Sequence, residues 1–210
     1  MEKQADTSIE DAVYQRAARL LAVRDAVAEE FGGHKVAVTD PADLKEIVRR
    51  LRRALAAVPG AYGVIVGGLA VQELGYVRWT EDVDAVIDAA HYGEVLDRLR
   101  LDGFVLQGDF TLVFRASGAK LDLLKEGTTL KDARFPLPHP SDLGPNTGYA
   151  SLSWVIRLKL DAHRRQDVAD VERIMRSHLN ETDAICASLP EVFRKEFLEL
   201  AEEARREAGA

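Results

Sequence analysis

The sequence predicts an α+β (mixed α/β) fold, in which helices flank a mixed sheet of four to five strands and helical extensions lie at both ends. The hydrophobic pattern has a helical period up to about residue 58, strand-type alternation from about residue 62, and a helical period again after residue 150. Glycine-containing turns separate the strands of the middle part. We therefore divide the chain into an N-terminal helical extension (1–58), a core (59–150) and a C-terminal helical region (151–210).

The composition restricts the class of protein. The 210 residues carry a formal net charge of −7, which argues against permanent residence on nucleic acid. Cys186 is the single cysteine, so no internal disulfide can form, as is usual in a reducing compartment. No stretch approaches the roughly 20 apolar residues that span a bilayer, and the polar N-terminus lacks the apolar region of a secretory signal. We therefore expect a cytoplasmic protein with no membrane partner.

Two helices are predicted before the core. Residues 9–33 have apolar positions at helical spacing and end at a glycine pair. The second helix opens at Asp40, a suitable N-cap, with Pro41 in the first turn. Four arginines lie mostly off its apolar face, which indicates either a solvated basic face or a surface for a polyanion: Arg49, Arg50, Arg52 and Arg53.

The core begins with a short buried strand, YGVIV, followed by a glycine pair and a short helix. DVDAVID is predicted as a strand, HYGEVLDRLRLDG as a helix, and FVLQGDFTLVFRASGAKLDLLKE as two or three antiparallel strands. A proline-rich loop leads to a helix that starts near Ser151 and is expected to break near Gln166 and Asp167. The segment PEVFRKEFLELAEEARR is predicted as the last helix.

Two acids in the strand DVDAVID carry the first functional signal. Residues two apart on a strand share a face, so Asp82 and Asp84 are expected to point the same way. Parallel carboxylates repel each other unless a cation lies between them. A hard, oxygen-preferring ion such as Mg²⁺ is suitable, because it binds one or two carboxylates and completes its shell with water and phosphate oxygens.

Asp122 adds a third acid to this pattern. It stands between leucines on another predicted strand, where an acid is costly to bury unless it is paired or bound to a metal. Three acids on neighbouring strands could hold two Mg²⁺ ions. One ion would hold a triphosphate and the other would lower the pKa of an attacking hydroxyl, with Asp122 binding that ion or accepting the proton.

Gly67 and Gly68 lie between the first strand of the core and the start of the short helix. Without side chains, the backbone at these positions can approach a phosphate closely, and the N-terminus of a helix favours negative charge. The glycine pair and the three acids together predict a site for a metal ion and a nucleoside triphosphate (NTP).

These motifs resemble the signature of the DNA polymerase β superfamily of nucleotidyltransferases. That superfamily has a glycine followed by Gly or Ser, then an acid-apolar-acid strand, and a further acid on a later strand. Here the glycine pair is followed by thirteen residues and then by DVD, and Asp122 in LDL stands where the third acid belongs. The strings GGLAVQELGYVRWTEDVDAVI and SLSWVIRLKLDAHRRQDVADVERI resemble the toxin components of AbiE-type abortive-infection toxin–antitoxin systems. The resemblance covers about residues 60–178.

The resemblance implies a catalytic core that transfers a nucleoside monophosphate from an NTP to an acceptor hydroxyl and releases pyrophosphate. It implies a two-Mg²⁺ mechanism, with Mn²⁺ as an alternative ion. The acceptor would be RNA such as tRNA, or a protein, with a small molecule less favoured. It further implies a bacterial toxin with a cognate antitoxin. The superfamily commonly has a serine at the position of Gly68, so this chain lacks one hydroxyl contact to phosphate.

Lys159 lies in the middle of the apolar arc of its predicted helix. A lysine centred on a buried face must meet an anion or extend its amine to the surface, so a phosphate contact and a structural ion pair are both open. In the toxin branch, a lysine in this helix is associated with the nucleotide site. Charged residues on the opposite side of the helix, including Asp161, are where solvent-facing charges are expected.

Two residues precede the acidic strand, and the sequence leaves their roles open. Arg78 could hold a phosphate or pair with Asp82 or Asp84, and Thr80 could belong to the site or cap a turn. Asp167 and Asp170 resemble a capping pair at a helix start. The alternative for these two is a salt bridge to Arg164 or Lys159 at the rim of the site.

Three other functions compete with an active nucleotidyltransferase. The first is a catalytically silent member of the same fold that binds or regulates a partner, although all three acids are present. The second is a glycosyltransferase with a DxD motif, which requires neither the glycine pair at this spacing nor the third acid. The third is a purely structural helical protein. Metal-dependent NTP binding would separate the nucleotide-using enzymes from the last.

Overall fold

The structure is a computed structural model that describes residues 40–76 and 78–209. The helix predicted over residues 9–33 lies outside the described residues. The elements follow in the order α1 (Pro41–Ala56), β1 (Gly63–Val66), α2 (Gly67–Glu73), β2 (Asp82–Ile87), α3 (Tyr92–Leu101), β3 (Phe104–Gln107), β4 (Thr111–Phe114), β5 (Lys120–Lys125), α4 (Pro140–Leu143), α5 (Leu152–Ala162), α6 (Arg165–Ser177), a 3₁₀ turn (Leu179–Glu181), α7 (Thr182–Ser188) and α8 (Glu191–Ala208).

The strands form one five-stranded mixed sheet in the order β1-β2-β5-β4-β3. β2 and β5 run parallel, and the remaining pairs are antiparallel. The prediction of a mixed sheet of four to five strands flanked by helices is confirmed. Residues 147–150 cover the outer edge of β1, where the amide of Ile65 donates to the carbonyl of Gly148 at 2.9 Å and the carbonyl of Ile65 accepts from the amide of Ala150 at 2.9 Å.

The sheet is buried on both faces, and strand alternation assigns each side chain to a face. Val83, Ala85 and Ile87 of β2 pack with α1 and α3 on one face. Val86 of β2 and Leu124 of β5 belong to the cluster on the opposite face, with α5, α6 and α8. Because the three acids have the same strand parity as these last two residues, they face the C-terminal helices.

α1 is part of the main core. Asp40 accepts a hydrogen bond from the amide of Ala42 at 2.8 Å, which confirms the predicted N-cap. The apolar face of α1 packs on the sheet through Leu44, Ile47, Val48, Leu51 and Leu55. The assignment of residues 1–58 to an extension separate from the core remains a prediction.

The arginines of α1 are largely engaged with the protein. Glu46 accepts from both Arg49 and Arg50 at 2.7 Å, and Arg50 also lies 2.9 Å from Asp102. Arg52 donates to the carbonyl of Thr147 at 2.9 Å, and Arg53 pairs with Asp102. These contacts favour an ion-paired structural face for α1.

The break between α5 and α6 occurs earlier than predicted. His163 adopts a left-handed conformation with φ 48°, Arg164 is extended, and α6 begins at Arg165. The side chain of Asp167 does not cap α6, and Asp170 lies further along the same helix; both are buried. The capping interpretation of these two acids is therefore wrong, because their carboxylates turn towards cations on neighbouring elements.

The described helices include none that is long and apolar enough to cross a membrane.

Candidate functional site

The three acids predicted to act together lie together in the structure. Asp84 of β2 and Asp122 of β5 are register partners across the parallel strand pair, and Asp82 is two residues away on the same face of β2. Each of the three offers a carboxylate oxygen within 4.8 Å of the others. All three side chains are half-buried. Partial burial strengthens the repulsion between the carboxylates and still leaves the cluster accessible to an ion.

Burial and mutual repulsion raise the pKa of two of the acids, Asp84 and Asp122. Burial, followed by repulsion from Asp82 and Asp122, raises the pKa of Asp84 to about 7. Burial also raises the pKa of Asp122, against a hydrogen bond from Thr111 that lowers it. Close carboxylates with raised pKa values are typical of a site that is completed by a cation.

Hydroxyl groups orient the two outer carboxylates. Thr111 donates from its hydroxyl to Asp122 Oδ1 at 2.7 Å. Thr80 is buried, and its hydroxyl lies 3.2 Å from Asp82 Oδ1 and 3.3 Å from the carbonyl of Asp82. Thr80 therefore contacts the cluster directly, and such second contacts fix the direction of a metal-binding carboxylate.

The glycine pair is required by the packing around the acids. Gly67 has φ +64°, and a Cβ atom there would overlap Oδ2 of Asp84. At Gly68 a Cβ atom would overlap the guanidinium of Arg78 and the hydroxyl of Thr80. The packing therefore explains the absence of a serine at residue 68 in this chain, because any side chain there would displace Arg78 or Thr80.

Lys159 is held by two buried carboxylates. It is 5 % exposed, and its Nζ lies 2.6 Å from Asp167 Oδ1 and 2.8 Å from Asp170 Oδ2. Arg78 pairs with Asp170 as well, with 3.0 Å between Nε and Oδ2. The partner of Arg78 in the structure is thus neither Asp82 nor Asp84, although its charge lowers the proton affinity of Asp84, as does that of Lys159.

Asp167 is the second carboxylate of this ion-pair network. Its Oδ2 accepts from Arg164 Nε at 2.6 Å, in addition to the contact with Lys159. Burial opposes ionisation of Asp167, but the hydrogen bonds from Arg164 and Lys159 outweigh it, so the pKa of Asp167 is lowered. Three cations share two carboxylates here, which leaves an excess of positive charge beside the three acids.

A cleft of about 560 Å³ opens above Asp84 and Asp122. Helix α5 forms one wall and residues 128–138 form another, with Phe110 at the rim. Lys159 and Arg164 line the cleft together with apolar side chains, among them Leu130, Phe135, Trp154 and Leu158. A cleft with both kinds of lining can hold a ligand that has an anionic and an apolar part.

Asp161 ties the wall of residues 128–138 to α5. It is 7 % exposed and accepts from the amides of Arg134 and Phe135 at 2.8 and 3.4 Å. The expectation that Asp161 faces solvent is wrong, because its side chain satisfies main-chain donors of a loop that packs over it. Arg157, on the same helix, lies with its guanidinium 4.3 Å from the ring centre of Trp154.

The buried acids of α6 form the salt bridges to Lys159 and Arg164 that the sequence left open as the alternative to capping. Asp167 and Asp170 share the buried stripe of α6 with Val171, Ile174 and Met175, at the spacing of an apolar helix face. That periodicity was visible in the sequence and is the signal for two buried charges. Asp161 had no comparable signal, since its partners are main-chain amides of a loop.

No family model matches the chain, and no curated protein does. Among solved structures, the chain is similar to a solution structure of the antibiotic-resistance factor ANT(2″)-Ia, with a TM-score of 0.40 and 15% identity over 79% of this chain and 93% of that one. It is also similar to a crystal structure of ANT(2″)-Ia in complex with adenylyl-2″-tobramycin, with a TM-score of 0.36 and 14% identity over 76% of this chain and 86% of that one. Identity and TM-score are low in both cases, so the function proposed below rests on the residues of this chain.

Proposed function

We propose that the chain is a divalent-metal-dependent nucleotidyltransferase of the polymerase β-like superfamily, which transfers a nucleoside monophosphate from an NTP to an acceptor hydroxyl. One observation carries the proposal. Three carboxylates from two adjacent parallel strands converge within 4.8 Å, and two of them, Asp84 and Asp122, line a cleft that is also lined by the buried Lys159. Structural acids are usually paired with cations or kept apart, whereas these three lie close together and form no ion pair within the part of the chain that the structure describes.

The residues present fit a hard divalent ion. The donors at Asp82, Asp84 and Asp122 are all carboxylate oxygens, the ligand type that Mg²⁺ and Mn²⁺ prefer, and their mutual repulsion would be relieved by a cation. Three such groups offer ligands for two ions. When bound, the metal would neutralise triphosphate charge and lower the pKa of the attacking hydroxyl.

The remaining residues divide into two sides. Arg78 and Lys159 supply positive charge beside Asp84, where the triphosphate would lie with the open backbone of Gly67 and Gly68. On the other side, Asp122, oriented by its hydroxyl partner, would bind the ion that activates the acceptor hydroxyl or take the proton of that hydroxyl. Since phosphoryl transfer needs mainly positioning and charge stabilisation, this set is sufficient for the reaction.

We infer that residues 59–150 form the catalytic core and that the C-terminal region completes it. Lys159 of α5 and Arg164 at the start of α6 both line the cleft. The N-terminal extension has no assigned part in this chemistry.

We infer that the acceptor is RNA, such as tRNA, or a protein, rather than a small molecule. We also infer that the protein is a cytoplasmic bacterial toxin with a cognate antitoxin. The sequence resemblance to AbiE-type toxins supports both inferences. Arg157 and Arg164 line the cleft and give an anionic acceptor a local contact despite the net charge of −7.

The decisive experiment is incubation of the purified protein with each α-³²P-labelled NTP, Mg²⁺ and total tRNA. Label on RNA or on protein that is lost in Asp82→Ala and Asp84→Ala would establish nucleotidyl transfer and identify the nucleotide and the acceptor class. Asp132→Ala is a matched control, because Asp132 lines the cleft outside the acid cluster. Nucleotide binding without transfer to any acceptor would favour the silent regulatory alternative, and absence of both would refute the proposal.

A further inference from the structure

Asp170 links two cations that come from separate parts of the chain. It is 1 % exposed on α6, and its Oδ2 lies 3.0 Å from Arg78 Nε and 2.8 Å from Lys159 Nζ. Arg78 belongs to the segment before β2, and Lys159 to α5. A carboxylate buried so completely is costly unless its cationic partners are fixed, so the three groups form one rigid unit.

We propose that Asp170 is a positioning residue that holds Arg78 and Lys159 in place for the phosphates of the nucleotide. Asp170 itself would touch neither the nucleotide nor the metal. The inference rests on the proposed function and extends it to a residue outside the acid cluster.

The geometry of Arg78 supports this role. Gln72 donates from Nε2 to the carbonyl of Arg78 at 2.6 Å, which fixes the main chain. Asp170 Oδ2 lies 3.0 Å from Nε as an ion pair without hydrogen-bond geometry, and Nη1 lies against Gly68, where no side chain intervenes. An arginine has five N–H donors, four of them on its Nη atoms. Within residues 40–76 and 78–209 no protein acceptor bonds these Nη atoms, so that edge is available for bidentate contact with phosphate.

Lys159 depends on Asp170 in a different way. Its ammonium is shared between Asp170 and Asp167, and Asp167 is already bound by Arg164. If Asp170 lost its charge, Lys159 would move towards Asp167, and Arg78 would lose its described anionic partner. Arg78 would then leave its position against Gly68, and Lys159 would leave its position near Asp84, although neither has been removed.

The test uses the whole chain and compares substitutions at two buried carboxylates. Asp170→Asn removes the charge at the site, and Asp88→Asn removes one at the far end of β2, where Asp88 accepts from the amides of Tyr62 and His91. Calorimetry would measure binding of each NTP and of inorganic tripolyphosphate with Mg²⁺, and of Mn²⁺ alone; thermal melting would measure stability. Asp88→Asn is the control for loss of stability without loss of positioning.

We expect Asp170→Asn to weaken binding of NTP and tripolyphosphate by about tenfold to a hundredfold, the usual loss for an outer-shell partner, with Mn²⁺ binding unchanged. Asp88→Asn should lower the melting temperature and leave nucleotide affinity unchanged. Unchanged nucleotide affinity in Asp170→Asn, or an equal loss in Asp88→Asn, would overturn the inference. Absence of nucleotide binding in the unsubstituted chain would instead refute the proposed function, and this inference with it.

A double-substitution cycle tests whether Asp170 acts through Arg78. Arg78→Met and Asp170→Asn should together weaken tripolyphosphate binding by less than the product of their separate effects, because each disrupts the same contact. Full multiplication of the two losses would overturn the inference. If Asp170→Asn does not fold, Arg78→Lys serves instead. It keeps the charge next to Asp170 but lacks the Nη edge, so it should bind nucleotide less tightly, and unchanged affinity would contradict the proposal.

Discussion

Gly67 lies directly against the carboxylate of Asp84, with no room for a Cβ atom between them. The contact joins the end of β1 to the middle of β2, because Val66 and Asp84 are register partners across these strands. The glycine therefore keeps the central acid of the cluster in the orientation that lets it share an ion with its neighbours. The backbone at Gly67 also has φ +64°, which disfavours any residue with a side chain.

Gly67→Ala should abolish binding of Mn²⁺ and any transferase activity, because the new methyl group would displace the Asp84 carboxylate. Gly118→Ala is the matched control, since Gly118 has φ +77° and open space around a Cβ atom. Both should lose about 1–2 kcal/mol of stability from the left-handed backbone. Titration with Mn²⁺ and chemical denaturation would separate the effects, and normal Mn²⁺ affinity in Gly67→Ala would contradict the packing argument.

Divalent-ion binding should depend on pH through Asp84. With a pKa of about 7, Asp84 must release a proton to bind an ion below neutrality. The apparent affinity for Mn²⁺ should therefore fall as the pH drops from about 8 to about 6, by up to about tenfold per unit below the pKa. Calorimetry in buffers of different ionisation enthalpy would detect the released proton. A pH-independent affinity would show that Asp84 is not a ligand.

In the metal-free protein, the raised pKa of Asp84 gives folding stability the opposite pH dependence, because stability falls as the pH rises. A carboxyl with a raised pKa in the folded state contributes stability below its unfolded pKa of about 4, and that contribution is lost as the pH rises through the folded value of about 7. The melting temperature should thus fall more between about pH 5 and pH 8 than it does in Asp84→Asn. Equal pH dependence in the two proteins would contradict the raised pKa.

Lys159→Met should destabilise the fold by about 3–5 kcal/mol, the usual cost of leaving buried charges without their partner. Asp167 would keep Arg164, and Asp170 would keep Arg78, but each would lose a contact shorter than 3 Å. Lys195→Met is the control, because Lys195 is exposed on α8 and 3.9 Å from Glu199. Urea denaturation should detect a large loss only for Lys159→Met. Equal stability in the two variants would show that the buried network contributes little.

Asp161→Ala should loosen the wall of residues 128–138. The substitution leaves the amides of Arg134 and Phe135 without their acceptor, at a cost of about 1–3 kcal/mol for buried donors. Hydrogen exchange should become faster at these two amides. Asp109→Ala, at an exposed acid on the opposite rim of the cleft, should leave their exchange unchanged. Unchanged protection in Asp161→Ala would mean that other contacts hold the wall.

The strands and the faces on which their acids lie could be predicted because both depend on local pattern. Alternation assigned Asp82 and Asp84 to one face of a strand before any partner strand was known. The glycine-containing turns separated the antiparallel strands that deliver Asp122 to the same sheet. The helix break was misplaced because its C-cap, the left-handed His163, is a weaker signal of a helix end than glycine.

The sequence offered a salt bridge from Asp167 and Asp170 to Lys159 or Arg164 only as an alternative to capping, and pattern could not decide between the two. Lys159 was recognised as a cation on an apolar face, but its position between Asp167 and Asp170 results from the packing of α6 beside α5. Periodicity assigns a side chain to a face and does not identify what the opposing element places there. The pairing of Arg78 with Asp170 could not be predicted for the same reason, because the two residues lie far apart in the sequence.

By itself, the sequence determined the residues that could bind a metal ion and the face on which each would lie, because strand and helix periods are properties of the local chain. Only the tertiary structure decided which charges meet. The parallel pairing of β2 with β5 brought Asp122 beside Asp84, and the packing of α6 against α5 and the segment before β2 brought Asp170 beside Arg78 and Lys159. Electrostatic energy depends on distance and burial, and both are set by contacts between residues remote in sequence.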